Sequence, residues 1–292
     1  MRRGLTVLFA LVALVALPSS ASAWSMEVHK VILAKAIPLL PPEIRPFFEK
    51  YQSSIVAHAV DPDLWRTVGW VEEPPRHFVD MDAYGPYPFK DLPHEYDEAV
   101  KRYGLEFVQK NGTLPWRSEE IYNKLVEAFT QKTPYARDNV RLFASVLAHY
   151  EADAHQPFHA ALNYDGQLTG QWGIHSRFET ELFERYQAKL QLTPKVPDWS
   201  GNPREFIFAT LTASFPLVQP ILDADKTAAA GREFYDDAYF DQFFSRVKPI
   251  LEKRISDSIG DAAAMITAAW IQAGRPALPL DAPKIPKRIR RQ

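Results

Sequence analysis

His149 and Asp153 stand four residues apart, so on a helix their side chains leave the same face one turn from each other. His159 follows six residues later, beyond Pro157, and His175 and Glu179 repeat the four-residue spacing. Upstream, Asp61 and His77 stand in a long proline-rich segment. Imidazole nitrogen and carboxylate oxygen are the donors left for Zn²⁺ in a chain with no cysteine, and these seven side chains are enough for two zinc coordination spheres. One such pair alone is usually an ordinary helix-face hydrogen bond. Two pairs, one with a third histidine just beyond it, point to metal chemistry. His58, His94 and His155 fall outside the pattern and are expected to support ligands, to be structural or to be solvated.

The N-terminal sequence suggests a further ligand. Arg2 and Arg3 precede an apolar run from Leu5 to Leu17, too short to span a bilayer, and Ala21-Ser22-Ala23 is a small-x-small cleavage site. Residues 1–23 therefore read as an export signal, and the protein is expected to be secreted or periplasmic after cleavage between Ala23 and Trp24. The α-amino group of Trp24 could then chelate a metal together with its own carbonyl, and His29 is close enough in sequence to share the ion.

These groups need rigid elements to hold them, and the periodicity supplies helices almost throughout. Apolar stripes predict helices over 26–38, 94–109, from Pro115 onward, 135–155 (ended or kinked by Pro157), 174–190, 203–222 and 239–273, the last stopped by Gly274. No alternating strand or hairpin turn is evident. The expected class is all-α, a single-domain multi-helix bundle over residues 24–280. Residues 61–93 are expected to be the longest non-helical stretch, and no second apolar stretch is expected to approach 18 residues. Lys+Arg total 34 and Asp+Glu 36, but Arg2, Arg3 and five basic residues among the last nine lie outside the body, which is strongly acidic. That balance argues against a protein that coats nucleic acid and suits one whose carboxylates hold cations. Residues 281–292 read as a basic, disordered tail, and no obligate protein partner is evident.

The chain resembles the superfamily of zinc-dependent phospholipases C and S1/P1-type nucleases. The matching pieces are Trp24-Ser25-Met26-Glu27, His29, Asp61, His77-Phe78-Val79-Asp80, His149-Tyr150-Glu151-Ala152-Asp153, His155-Gln156-Pro157-Phe158-His159 and Gly173-Ile174-His175-Ser176-Arg177-Phe178-Glu179, in family order from residue 24 to 179. The resemblance implies a trinuclear site of three Zn²⁺ ions. Asp61, His77, His149 and Asp153 would hold the first, and His159, His175 and Glu179 the second. Trp24, His29 and a shared carboxylate, Asp153, would hold the third. The implied activity is phosphodiester hydrolysis by a zinc-activated water, with Asp61 either orienting or deprotonating that water or serving as a ligand only.

The two branches differ in substrate. Glu179 and the Trp24-Ser-x-Glu27 start resemble the phospholipase C branch, in which the diester is a phospholipid at a membrane surface and Glu27 would help to bind a cationic headgroup. A cation–π pocket for that headgroup would draw on Trp65, Trp70 or Tyr84. The short spacing from Trp24 to His29 resembles the nucleases instead, and the alternative substrate is single-stranded nucleic acid, with Tyr164 and Trp172 available to stack on a base.

Overall fold

The computed structural model describes residues 24–133 and 135–280. The expected signal segment 1–23 and basic tail 281–292 lie outside the described residues. The fold is all-α, with no strand among the described residues. In chain order the helices are α1 (Met26–Ala36), α2 (Arg45–Lys50), α3 (Gln52–His58), α4 (Asp61–Thr67), α5 (Tyr96–Tyr103), α6 (Leu105–Lys110), α7 (Leu114–Thr130), α8 (Ala136–His155), α9 (Ile174–Ser176), α10 (Leu182–Tyr186), α11 (Pro203–Ser214), α12 (Val218–Ala229) and α13 (Asp237–Gln272). A π turn, Arg177–Glu181, joins α9 to α10.

α8 is the centre of the bundle and packs against α7, α13, α3, α11 and α1. Every residue from Ala144 to His155 is buried, so this helix has no solvent face over its last three turns. Its polar groups are therefore hidden on every side and must find partners in the core. One continuous apolar core runs from Trp24 to Trp270 and draws on nearly every helix.

Several sequence expectations change in detail. Residues 94–109 divide into α5 and α6 at Gly104, whose φ of +87° ends the first helix. Residues 203–222 divide into α11 and α12 around the 3₁₀ turn Phe215–Leu217 beside Pro216. The span Pro203–Ala229 also corrects the expectation about apolar stretches: its mean hydropathy over 18 residues reaches 1.3. Here it is two helices, and α11 packs on α7 and α8. Residues 61–93 are less irregular than expected, containing α4 and the 3₁₀ turns Pro74–His77 and Met81–Tyr84. The short helices α2 and α3 have no clear apolar stripe and are not evident in the sequence. Pro157 acts as expected, with α8 ending at His155 and the side chain of Gln156 capping the next turn through the amide of Phe158.

Candidate metal centre

The C-terminal half of α8 presents His149 and Asp153, both fully buried, toward α1, α4 and the Pro74–His77 turn. Asp153 is the hub. Its Oδ2 lies 3.0 Å from Nδ1 of His77 and 3.2 Å from Nε2 of His149. Its Oδ1 lies 3.5 Å from Nε2 of His29 and 3.6 Å from Nδ1 of His159. A single carboxylate thus faces four imidazoles, two on each oxygen. Burial alone would raise its pKa, but the His149 charge and hydrogen bond and the His159 charge hold it well below the usual carboxylate range.

Side-chain donors gather into three adjoining groups that can hold a cation: His77, His149 and Asp153; His29, Asp63 and His149; and His159, His175 and Glu179. The rings of His29 and His149 stack with centroids 3.9 Å apart, and those of His159 and His175 lie 5.1 Å apart. Nε2 of His175 approaches Oε2 of Glu179 to 2.9 Å.

Hydrogen bonds outside these groups set the histidines for ligation. Nδ1 of His149 lies 2.8 Å from the Ala59 carbonyl, and Nδ1 of His175 lies 2.9 Å from the Tyr164 carbonyl. A carbonyl only accepts, so each Nδ1 carries the proton, and in the neutral ring Nε2 is the free lone pair aimed inward. Burial, followed by the His149 charge, pulls His29 down, and burial holds His159 well below its ordinary range, so both stay neutral. His77 behaves differently: burial lowers it, but hydrogen bonds to Asp153 and Glu73 outweigh burial and leave it at about 9.

The donor set fits a metal ion by an observation of this structure. Both ring nitrogens of His29, Oδ2 of Asp63, Oδ1 of Asp153, Nδ1 of His159, Nε2 of His175 and Oε1 of Glu179 are buried without a hydrogen-bond partner. Buried polar atoms are rarely left unpartnered, and here several converge at one place. Nitrogen and carboxylate oxygen are zinc's donors when no thiolate is present.

Of the expected ligands, the structure brings together His29, His77, His149, Asp153, His159, His175 and Glu179. Asp61 is a correction. It lies against His58, with Oδ2 2.7 Å from Nδ1, and its side chain is 21% exposed. The carboxylate facing His29 and His149 is Asp63, 1% exposed. Each helical residue turns the chain by about 100°, so residues two apart on α4 point to nearly opposite sides, and only one of them can enter the core. Arg66, one turn on, donates to Oδ1 of Asp63 at 3.0 Å and leaves Oδ2 unpartnered. That Asp-x-x-Arg spacing is the sequence signal that could have distinguished the two.

Trp24 is fully buried. Its indole Nε1 donates to the Ala152 carbonyl at 2.8 Å, and its ring tilts against Phe178. The residue is therefore anchored to α8 immediately beside Asp153.

A cleft of about 760 Å³ opens onto His77, His159 and His175. Its walls include Phe78, Phe158, Tyr164 and Leu168, with Lys110 and Arg66 bringing positive charge. The expected headgroup residues do not line it, which corrects that assignment. Glu27 is exposed and pairs with Lys30 at 2.7 Å. Trp65 packs on Trp70, whose face carries the Arg76 guanidinium at 5.0 Å. Tyr84 is buried against Tyr103 and Phe107.

Besides Asp63, three important residues were missed. Glu73, fully buried, accepts from the Tyr150 hydroxyl and from Arg76, and its Oε1 lies 3.6 Å from Nε2 of His77. Burial would raise its pKa, but the His77, Tyr150 and Arg76 hydrogen bonds bring it to about 2. It is an anion that orients the His77 ring from behind. Gln156 donates to Oε2 of Glu179 at 2.9 Å, so the residue that caps the turn after α8 also fixes a candidate ligand. Asp80 lines the cleft with an unpartnered buried Oδ1, and burial, with a smaller contribution from Asp82, pushes it up to about 7. No family model matches the chain, and no curated protein matches it.

Proposed function

We propose that the chain is an exported zinc-dependent phosphodiester hydrolase of the phospholipase C and S1/P1 nuclease type. The observation that carries this reading is the convergence of unpartnered buried imidazole and carboxylate atoms beneath one cleft, onto which His159 and His175 open. Asp63, His77, His149 and Asp153 would hold one zinc, and His159, His175 and Glu179 a second. His29, Asp153 and the freed amine of Trp24 would hold a third. Bound there, zinc would supply charge for the non-bridging phosphate oxygens and lower the pKa of a coordinated water from about 15.7 toward 7. The chain's own residues do the rest. Lys110 and Arg66 draw an anion into the cleft, Phe78 and Phe158 exclude bulk water around it, and Glu73 and the Ala59 and Tyr164 carbonyls hold the rings of His77, His149 and His175 in register.

Between the two diester classes, the cleft favours single-stranded nucleic acid or a nucleotide over a phospholipid. The residues expected to hold a cationic headgroup, Glu27, Trp65, Trp70 and Tyr84, lie elsewhere, and the Lys110 ammonium in the cleft wall would repel one. Asp80 and Asn111 line the same cleft as Phe78 and Tyr164, so hydrogen-bonding groups and aromatic rings are both available there, which suits the edge and face of a base. A side-by-side assay tests this. Nucleotides released from single-stranded DNA or RNA, with no diacylglycerol from phosphatidylcholine, are expected. The opposite result would restore the phospholipase reading, and processed protein devoid of zinc would end both.

A further inference from the structure

α8 carries a second set of potential ligands on the face turned away from the cleft. Glu151 and His155 are two residues on from His149 and Asp153, hence about 200° around the helix axis. Glu151 is fully buried and His155 is 2% exposed. Asp261 reaches them from α13 and is 16% exposed. Nε2 of His155 lies 2.7 Å from Oε1 of Glu151 and 3.0 Å from Oδ2 of Asp261, and all three donor atoms fall within one cation-sized space.

We infer that Glu151, His155 and Asp261 form an additional divalent-metal site, separate from the cleft, of the kind that takes Zn²⁺. Four observations carry the inference. Oε1 of Glu151 is buried without a hydrogen-bond partner and is aimed at the shared space, while its other oxygen is fixed by the Ser258 hydroxyl at 2.8 Å. The separations of 2.7 and 3.0 Å are near the roughly 3 Å between adjacent ligands of an octahedral cation with bonds of about 2.1 Å, so the shell implied is an open one completed by water rather than a closed tetrahedral one. Two carboxylates and an imidazole are the borderline-hard set that suits zinc or manganese. Arg254, the nearby cation, directs its donors instead to the His155 carbonyl at 3.1 Å, the Ser214 hydroxyl at 2.7 Å and Asp257.

The site opens through Asp261 to a surface hollow of about 400 Å³, so a cation can enter and water can complete its shell. Its effect would be structural. The chain has no cysteine, and a metal here would tie α13 to the helix whose opposite face carries His149 and Asp153. A tie of that kind would stiffen α8 beneath the cleft.

Equilibrium dialysis of the full processed chain against Zn²⁺, with zinc per chain counted by atomic emission, tests the site. Asp261→Asn should bind one zinc fewer than the unsubstituted chain, whatever number the cleft holds, and should retain its helical circular dichroism. If the cleft bound no zinc, the count would still fall from one to zero, so this site and the proposed activity stand or fall separately. Glu151→Gln, which retains an acceptor for Ser258, should show the same loss of one equivalent. Equal counts in all three proteins would overturn the assignment. So would a loss of more than one equivalent in both variants, because the substitutions would then be acting through the fold.

Discussion

His77 directs Nδ1 to within 3.0 Å of Oδ2 of Asp153, although 76 residues separate them in the chain. The pair joins the Pro74–His77 turn to α8 and leaves Asp153 as a carboxylate that faces imidazoles on both its oxygens. Asp153→Asn should therefore disturb more than one metal position. Several kcal/mol of charge stabilisation come from each catalytic metal, and about 1.4 kcal/mol is a factor of ten, so kcat/KM should fall by about 10³-fold or more. Zinc per chain should fall with it. A variant with full zinc content and more than about a tenth of the activity would remove Asp153 from the centre.

The two aspartates of α4 give a sharp contrast. Asp63→Asn should lose activity on the same scale as Asp153→Asn, because Asp63 is buried and its Oδ2 has no other partner. Asp61→Asn loses only a partly exposed contact with His58, worth about 1 kcal/mol or less, and should stay within about threefold of the unsubstituted protein. Measured kcat/KM and zinc content for both variants decide which carboxylate serves the centre. The reverse ranking would return the role to Asp61.

Glu73 acts through His77. Glu73→Gln keeps the shape but removes the charge behind the ring, and partners of this kind are worth about 10- to 100-fold in metal affinity or activity. The expected signature is weaker zinc retention under competing chelator while KM stays nearly constant. Tyr150→Phe, which deletes one hydrogen bond to Glu73, should show the same effect in smaller measure. A rise in KM with normal zinc affinity would instead assign Glu73 to substrate binding.

Asp80 makes stability depend on pH. Its carboxyl is raised from 3.8 to about 7, so the folded protein keeps a proton that the unfolded chain has released between those values. Stability should fall as pH rises through that window and level off above it. At 1.36 kcal/mol per pKa unit the cost is on the order of 4 kcal/mol above pH 7. Asp80→Asn should be more stable than the unsubstituted protein at pH 8 and nearly equal to it at pH 4. Urea unfolding at the two values checks this, and an equal difference at both would show that Asp80 titrates normally. The same variant should shift preference among bases if Asp80 meets a base edge.

How much the sequence disclosed follows from which forces are local. The helix spacing of His149 and Asp153, and of His175 and Glu179, is a local property, and both pairs meet as the spacing implied. The choice between Asp61 and Asp63 depends on how α4 rolls against α1 and α8, a tertiary fact with no local trace except Arg66. Glu73 sits four residues before His77 amid prolines, where no helix period marks it, and its role appears only once Tyr150 approaches from α8. Trp65, Trp70 and Tyr84 were suggested by residue type alone, and Glu27 by its place in the Trp24-Ser-x-Glu start; neither can tell a cleft wall from a core or a surface. Gly104 and Pro216 divide stretches whose apolar periodicity reads as continuous, because periodicity reports a buried face and not the break within it.

Gly112 holds the cleft wall from behind, and its cost can be separated into two parts. Its φ is +91°, and a Cβ there would lie 2.0 Å from the carbonyl oxygen of Phe78, beside His77. Gly104 has a similar φ of +87° but nothing within 4 Å of a Cβ. Gly104→Ala should therefore show the backbone penalty alone, about 1–2 kcal/mol. Gly112→Ala adds a backbone clash that relaxes only if Phe78 moves, so it should be less stable than Gly104→Ala by at least about 2 kcal/mol. Because Phe78 follows His77 directly, the movement should also loosen zinc, which Gly104→Ala should not do. Urea midpoints and zinc content for the two variants give the comparison. Equal stability and equal zinc would mean that the Gly112–Phe78 contact does not position the His77 segment.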